Sequence, residues 1–241
     1  MPDPSPTPQM GTGDFAVNGA GFDAIADYLR TSLFPTECLQ SQRILLRLYR
    51  CIAKGTPVSI DELGVQLGLD ESIIQHTLSE VDPSRLQYDE GGCIVGFAGL
   101  GQTPSQHSFL IEGHQLYTWC IWDALFLPAL LEKPARVKTK CPVSGQVISL
   151  LATLQGAEQV QPSSVMMSFV TPDSKNLCGN LRGAFCNHVN LFASVDIARE
   201  WQSNNPHASI ITLDEAFRLG TIRNQAGFGL ALQEELKGIE S

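Results

Sequence analysis

The feature that most constrains this chain is the run WCIWDALFLPALL at residues 119–131. Nearly every side chain in the run is apolar, so we expect it to be buried. It is too short to cross a bilayer, which needs about 20 residues. The run also contains Cys120 and Asp123. Burying a thiol is cheap, whereas burying a carboxylate is costly unless it has a partner or takes up a proton.

Two interpretations of Cys120 and Asp123 fit these residues taken alone. On a helix, positions i and i+3 share a face, so the thiol and the carboxyl can touch and act together. Alternatively, Cys120 is a small buried side chain and Asp123 is the N-cap of a helix over ALFLPALL. Pro128 is unfavourable inside such a helix and predicts a kink or a restart.

The first half of the chain predicts a disordered tail and then a helical module. Residues 1–21 are rich in Pro, Gly, Asp and Ser, which is typical of disorder. Residues 22–100 show helical periodicity in FDAIADYLR and in TECLQSQRILLRLYRCIAKG, where Gly55 ends the helix. Ser59 and Glu62 form a capping-box pattern, a second helix follows a Gly-Leu-Asp turn, and LQYDEGGCIVGFAG predicts a hairpin. This order predicts a winged-helix-like domain.

The charge of this module argues against DNA binding. Residues 22–100 carry eleven acidic and six basic residues, and the helix in the recognition position, DESIIQHTLSEVD, has no Lys or Arg. Phosphate contacts supply most non-specific affinity, so an acidic face repels the DNA backbone. The net charge of -9 for all 241 residues likewise disfavours nucleic acid and anionic membranes. We therefore predict a packing module, with no nucleic-acid or membrane partner.

Residues 101–241 predict a different kind of domain. Short strand patterns alternate irregularly with a few helices, which favours an α+β domain with a mostly antiparallel sheet and flanking helices. Ser194 or Asp196 is a candidate cap for a helix over AREWQ, and Asp214 for one over DEAFRLG. The segment HSFLIEGHQLYTW predicts two strands around a Gly-His turn, and ARVKTKCPVSGQVISLLAT predicts a hairpin across Pro-Val-Ser-Gly. Further strands are predicted over VMMSFV, AFCNHVNLFAS and SIITL.

The seven cysteines are expected to be reduced thiols. The first residues show neither a cationic n-region nor an apolar h-region, so we predict a cytoplasmic protein. No CxxC pair is present, which disfavours a zinc ribbon or a thioredoxin-type redox pair. Cys141, followed by Pro and a Ser-Gly turn, resembles half of a zinc knuckle without its mate and is interpreted as structural. Cys178 lies in NLCGNLRG and is a spare thiol.

Cys186 and His188 form a second place where chemistry is possible. They are two residues apart in a predicted strand, so both side chains would point to the same side. This arrangement fits a soft-metal ligand pair, or a nucleophile with a nearby base. It equally fits a core cysteine beside a histidine that is bonded to the backbone.

Four segments in order resemble the organomercurial lyase (alkylmercury lyase) family: LYTWCIWDALFLPALL, ARVKTKCPVSGQVISL, FCNHVNLFASVDIAREW and ITLDEAFRLG. The likeness covers roughly residues 107–220. It implies an enzyme that cleaves the carbon–mercury bond of organomercurials to a hydrocarbon and Hg(II). Under this resemblance Cys120 and Cys186 bind the mercury of substrate and product, and Asp123 handles the proton.

The resemblance also implies supporting roles and partners. Trp119 would be a wall of the site, and Cys141 would match a structural cysteine of the family. Some members have a second cysteine where this chain has Asn187, so a third thiol is not expected there. No organic cofactor is implied, free thiols are needed for turnover, and Hg(II) would pass to a mercuric reductase and small cytosolic thiols. The rival hypothesis is a non-catalytic soft-metal sensor or carrier, which has no need for Asp123.

Overall fold

The chain folds into helices and short antiparallel strands, and the computed structural model describes residues 21–33, 38–172 and 179–239. Cys178 and residues 1–20 of the expected tail lie outside this part. The helices are α1 (Phe22–Tyr28, continued by a π-helical turn, Leu29–Leu33), α2 (Leu39–Ile52), α3 (Ile60–Leu67), α4 (Glu71–Ser79), α5 (Asp123–Leu131), α6 (Leu181–Ala184), α7 (Val195–Ser203) and α8 (Leu213–Ile239). Two 3-10 turns cover Pro83–Arg85 and Cys186–His188.

The strands of the described residues form two antiparallel sheets. The larger sheet has the order β1-β2-β3-β5-β4-β6-β7-β8, and the smaller has the order β10-β9-β11. The α+β class with a large antiparallel sheet is therefore confirmed. The strands are β1 (Leu86–Tyr88), β2 (Ile94–Phe97), β3 (Leu100–Gly101), β4 (His107–Ile111), β5 (His114–Thr118), β6 (Ala135–Lys140), β7 (Val147–Ala152), β8 (Ala157–Gln161), β9 (Met166–Phe169), β10 (Leu191–Phe192) and β11 (Ser209–Thr212).

The local signals in residues 22–100 give the elements that they predict. The Ser59 hydroxyl accepts a hydrogen bond from the Glu62 N–H at the start of α3, and Gly68 ends that helix in the left-handed region. Strands β1 and β2 pair as the expected hairpin. The sheet then continues through β3 into β5. The expected boundary between residues 100 and 101 falls inside β3, and the division into two domains stays a prediction.

Helix α5 holds the end of the hydrophobic run in the core. It contacts α2, α8 and the strands β6 and β7. Pro128 lies inside the helix without ending it, and the helix ends at Glu132, whose φ is +57°. Arg50 on α2 donates to the Leu130 carbonyl and makes a bidentate ion pair with Glu235, at 2.7 and 2.9 Å. This arginine ties α2, α5 and α8 together.

The prediction of one strand over AFCNHVNLFAS was wrong for its first part. Only Leu191–Phe192 is a strand, and Cys186–His188 is a 3-10 turn. The turn is closed by bonds from the His188 N–H to the Phe185 carbonyl and from the Val189 N–H to the Cys186 carbonyl. With about three residues per turn, side chains at i and i+2 point apart. Cys186 and His188 therefore do not share a face.

None of the helices in the described residues combines the length and the hydropathy that are needed to cross a membrane.

Candidate active site

Three reactive side chains from two separate segments of the chain converge on one buried point. Cys120 lies in the turn between β5 and α5, Asp123 is the first residue of α5, and Cys186 begins the 3-10 turn after α6. Their Sγ atoms and a carboxylate oxygen all lie within 4.8 Å of one another. The residues are 0%, 6% and 6% exposed, respectively. The geometry brings together the three residues that the sequence singled out.

Asp123 is held by the backbone of the same turn. Its Oδ2 accepts a 2.7 Å hydrogen bond from the Cys120 N–H. Trp122, and not Asp123, occupies the N-cap position of α5, so the capping alternative does not describe this carboxyl. Burial raises the pKa of Asp123 to about 6, against the opposing effects of hydrogen bonds from Cys120 and the charges of Arg223 and Arg182. The carboxyl can therefore exchange a proton near neutral pH.

The Cys120 thiol is a poor acid in this environment. Burial raises its pKa well above the ordinary value, and the hydrogen bond with Cys186 and the charge of Asp123 add to the effect. The thiol thus keeps its proton until a soft metal binds the sulfur. Asp123 is then the adjacent group that can take up the released proton.

Gly99 forms a close wall behind the carboxyl. Its φ is +112°, and a Cβ added to it would lie 2.6 Å from Cγ of Asp123. The Gly99 carbonyl accepts a 2.9 Å bond from the Trp119 N–H, which joins this wall to the turn that carries Cys120. A residue with a side chain would strain the backbone and push the carboxyl away. No local sequence pattern points to Gly99, because its importance comes from a contact across the fold.

Trp119 lies half-buried at the side of the site. The Arg182 guanidinium stacks over its ring at 4.0 Å, and Arg182 also donates a 3.2 Å bond to Gln87. The positive charge of Arg182 partly opposes the rise that burial causes in the pKa of Asp123. Sequence reasoning named Trp119 and missed Arg182. The only available signal was its position four residues before Cys186.

An aromatic cluster supports both sides of the site. Trp122 contacts Phe126, Phe169 and Phe185 edge-on, with ring centroids 5.0, 5.0 and 5.8 Å away. The Trp122 indole N–H donates a 2.9 Å bond to the Ala216 carbonyl of α8. Trp122 lies between Cys120 and Asp123 in the chain, and Phe185 directly precedes Cys186. The cluster therefore fixes the two cysteine-bearing segments against each other.

Cys141 and His188 lie apart from the three converging groups. Cys141 is buried in the turn after β6, where its pKa is lowered, because hydrogen bonds from Ser144 and from the backbone of Ala193 and Val143 outweigh its burial. This sulfur links the β6–β7 turn to the segment after β10. The ring of His188 lies beside His207 at 6.2 Å between centroids. Its carbonyl accepts a bond from Ser168.

The fold and the site together define a class of protein. They describe an α+β protein with a buried pair of thiols and an adjacent carboxyl, a donor set that suits a soft metal and a proton transfer. Comparison with known proteins then gives the family. The alkylmercury lyase family model matches residues 100–223.

Curated relatives and a solved structure agree with that match. The chain is 36% identical to an alkylmercury lyase of Pseudomonas putida, over 81% of this chain and 88% of the relative. It is 34% identical to one of Streptomyces lividans, over 72% of this chain and 78% of the relative. The mercury-bound form of MerB2 superimposes with a TM-score of 0.69 and 22% identity, covering 85% of this chain and 98% of that one, which shows a shared fold. The chain belongs to the alkylmercury lyase family.

Proposed function

We propose that this protein is an organomercurial lyase that cleaves carbon–mercury bonds by protonolysis. The observation that carries the proposal is the convergence of Cys120, Cys186 and Asp123 within 4.8 Å in a buried site. Family membership supports the same activity. The substrates are organomercurials, R–Hg–X, and the products are the hydrocarbon R–H and Hg(II).

The two cysteines bind the metal. One thiol displaces X from R–Hg–X as its proton leaves with X, and forms a sulfur–mercury bond. The second sulfur then adds to the same mercury, which increases the electron density on the carbon and makes it easier to protonate. When R–H departs, Hg(II) remains bound to both sulfurs. Cys120 and Cys186 fit this role because both are buried thiols next to each other.

Asp123 transfers the proton. It accepts the proton of a thiol as that sulfur binds mercury, and delivers it to the carbon as the carbon–mercury bond breaks. The balance closes, because the second thiol loses one proton and the hydrocarbon gains one. A pKa raised to about 6 suits both halves of this transfer. Its fixed position beside the metal adds the advantage of proximity.

Turnover needs an acceptor for the product. Mercury leaves two sulfurs fastest when another thiolate attacks it, so small thiols in excess would release Hg(II) and reset the site. In this proposal a mercuric reductase is the final recipient of Hg(II), and the reaction uses no organic cofactor. The protein acts in the cytoplasm, where its thiols stay reduced.

The helical part before the site has a packing role in this proposal. We propose that helices α2 to α4 and the β1–β2 hairpin form a winged-helix-like module over residues 22–100. Its acidic excess argues against a DNA contact. Its residues support the site instead, as the contact of Gly99 with Asp123 illustrates.

The test is hydrocarbon release. The purified protein is incubated with phenylmercury and excess small thiol, and benzene is measured beside a Cys186→Ser control. Catalytic benzene release that the substitution abolishes supports the lyase. Tight mercury binding without benzene would instead identify a sensor or carrier. Asp123→Asn adds a second discrimination, because a carrier keeps full function while the lyase loses turnover and still binds mercury.

A further inference from the structure

The carboxyl of Asp123 rests on a turn that belongs to another part of the chain. The turn consists of Ala98 and Gly99, both with positive φ, between β2 and β3. Gly99 contacts the carboxyl so closely that no Cβ fits between them. Any shift of this turn therefore changes the space in which the carboxyl lies.

Two buried polar side chains, one on α2 and one on α8, support the Ala98–Gly99 turn through hydrogen bonds. The Tyr49 hydroxyl on α2 donates a 2.7 Å hydrogen bond to the Ala98 carbonyl. Arg223 on α8 in turn donates a 2.8 Å hydrogen bond to the Tyr49 oxygen. Tyr49 and Arg223 are 0% and 1% exposed. The result is a continuous chain of contacts from α8 through α2 to the turn and then to Asp123.

Close packing does not hold the turn on that side. A cavity of about 170 Å³ lies next to it, and Ala98 and Arg223 are among its lining residues, with Asp82 and Arg85. The turn has room to move in this direction if the hydroxyl is removed. Backbone hydrogen bonds run from the Ala98 N–H to the Arg85 carbonyl and from the Trp119 N–H to the Gly99 carbonyl. The Tyr49 hydroxyl adds a buried side-chain hydrogen bond to the Ala98 carbonyl, on the side of the turn that faces the cavity.

Burying the charged side chain of Arg223 between α2 and α8 costs free energy, because the guanidinium loses its hydration. The guanidinium also donates a hydrogen bond to the Asn224 side chain and lies 4.3 Å from the Phe126 ring centroid. An apolar side chain of similar volume would fill the same place without the loss of hydration. Buried polar networks that are retained in spite of this cost often specify one arrangement of the groups around them.

We propose that Tyr49 and Arg223 are positioning residues for the lyase reaction: through the Ala98–Gly99 turn they fix the Asp123 carboxyl against Cys120 and Cys186. This inference rests on the proposed role of Asp123 in proton transfer. Neither residue touches the substrate. Tyr49 affects the proton-transfer step through the position of the carboxyl, and Arg223 acts through that position and also through its charge, which opposes the raised pKa of Asp123. Mercury binding by the two sulfurs does not depend on either residue.

The main test is Tyr49→Phe, which removes one oxygen and keeps the ring. Single turnover of phenylmercury, kcat, KM and Hg(II) stoichiometry are measured at a temperature where the variant is fully folded. We expect kcat to fall by about tenfold or more, because small displacements of a catalytic group reduce rates steeply. KM and a stoichiometry of one Hg(II) per chain stay unchanged. Arg223→Lys should retain more activity than Arg223→Met.

The matched control is Gln42→Met. Gln42 is a buried side chain that also joins α2 to α8, by accepting bonds from the Leu230 and Ala231 N–H groups. It lies seven residues from Tyr49, about 10 Å along the helix. The control weakens the same helix pair away from the turn, and we expect its kcat to be unchanged. Equal loss of kcat in Gln42→Met and Tyr49→Phe, or an unchanged kcat in Tyr49→Phe, would overturn the inference.

Asp123→Asn separates this inference from the proposed function. In the Asp123→Asn background, Tyr49→Phe should cause no further loss of single-turnover rate, because the group that it positions is already gone. An independent further loss would overturn the positioning role. Full turnover by Asp123→Asn itself would instead refute the proposed proton transfer, whatever Tyr49→Phe does.

Discussion

The two thiols of the site are held by two different kinds of structure. Cys120 shares one tight turn with Asp123, and a hydrogen bond of 2.7 Å from the Cys120 N–H to the carboxylate joins the two residues. Cys186 comes from a short 3-10 turn, and the aromatic contacts of Phe185 hold that turn. The first arrangement is joined by a contact within one turn and is supported by the Ala98–Gly99 turn, whereas the second depends on aromatic packing across the molecule. The site therefore combines a locally encoded acid–thiol pair with a thiol whose position the core determines.

The largest effect is expected from removing either sulfur. Cys120→Ser and Cys186→Ser should each lower turnover by roughly a thousandfold or more, since the carbon is activated only when both sulfurs bind mercury. The replacement is nearly isosteric, so thermal unfolding should change little. Benzene release from phenylmercury and calorimetric unfolding check both points. Cys93→Ser, in the β1–β2 hairpin, is the control, and substantial turnover by either site variant would contradict the two-thiol site.

Asp123→Asn should separate activity from stability. Turnover should fall by about 10²–10⁴-fold, because the proton carrier is lost. Stability should change in the opposite direction. The folded pKa of Asp123 is about 6, above that of the unfolded chain, so ionisation favours unfolding, and stability falls as pH rises from about 4 to 6.

The magnitude of that pH effect is testable. The pKa of Asp123 is about two units higher in the folded chain than in the unfolded chain, which corresponds to about 3 kcal/mol in the free energy of unfolding. The wild type loses this stability by pH 7, whereas Asp123→Asn keeps it. Urea unfolding at pH 4.5, 6 and 7.5 should show wild type and variant diverging as pH rises. Parallel stability curves would contradict a raised pKa at this carboxyl.

Gly99→Ala tests the wall behind the local pair. The positive φ and the contact with the Asp123 carboxyl should together reduce stability by about 1–3 kcal/mol and turnover by about 100-fold. Gly92→Ala is the control, because Gly92 also has a positive φ but its Cβ would meet no atom within 4 Å. The difference between the two variants isolates the contact from the backbone strain. Equal turnover in both would show that the wall is unimportant.

The smallest effect on turnover is expected from weakening the aromatic packing around the turn that carries Cys186. Phe185→Leu removes edge contacts with Trp122 and Phe169, each worth about 0.5–1.5 kcal/mol. Stability should fall by about 1–3 kcal/mol for the two contacts together, and turnover should fall several-fold as Cys186 becomes less well placed. Phe192→Leu, beside Trp201 on the smaller sheet, is the matched control. A larger loss of turnover in the control would contradict the role given to the aromatic cluster.

Sequence reasoning succeeded where the structural signal is local. The Ser59 cap, the β1–β2 hairpin and the β6–β7 hairpin are short-range patterns, and the structure contains each of them. The Cys120–Asp123 pair was also visible, because a carboxylate in an apolar run is anomalous in itself. What the residues alone left open was whether the pair acts chemically or only packs.

Sequence reasoning failed where a long-range contact decides. The strand predicted through Cys186 becomes a turn, since the aromatic packing of Phe185 and the bonds of the turn override the strand-like pattern. Helix α8 continues past Gly220, where a Cβ would lie 2.8 Å from Cβ of Phe126. That glycine allows close helix packing, although in sequence it resembles a stop signal. Gly99, Tyr49 and Arg223 give no local signal, because their roles exist only in the folded chain.

The position of Gly99 has a consequence for any attempt to trim this protein. The family match begins at Leu100, one residue beyond the glycine on which the carboxyl of Asp123 rests. A fragment that starts at residue 101 would keep both thiols and the acid, yet lack the surface behind the acid. Such a minimal enzyme should capture mercury and release hydrocarbon poorly. The shortest useful version of this chain therefore extends back at least to Leu39, where the helix that carries Tyr49 begins.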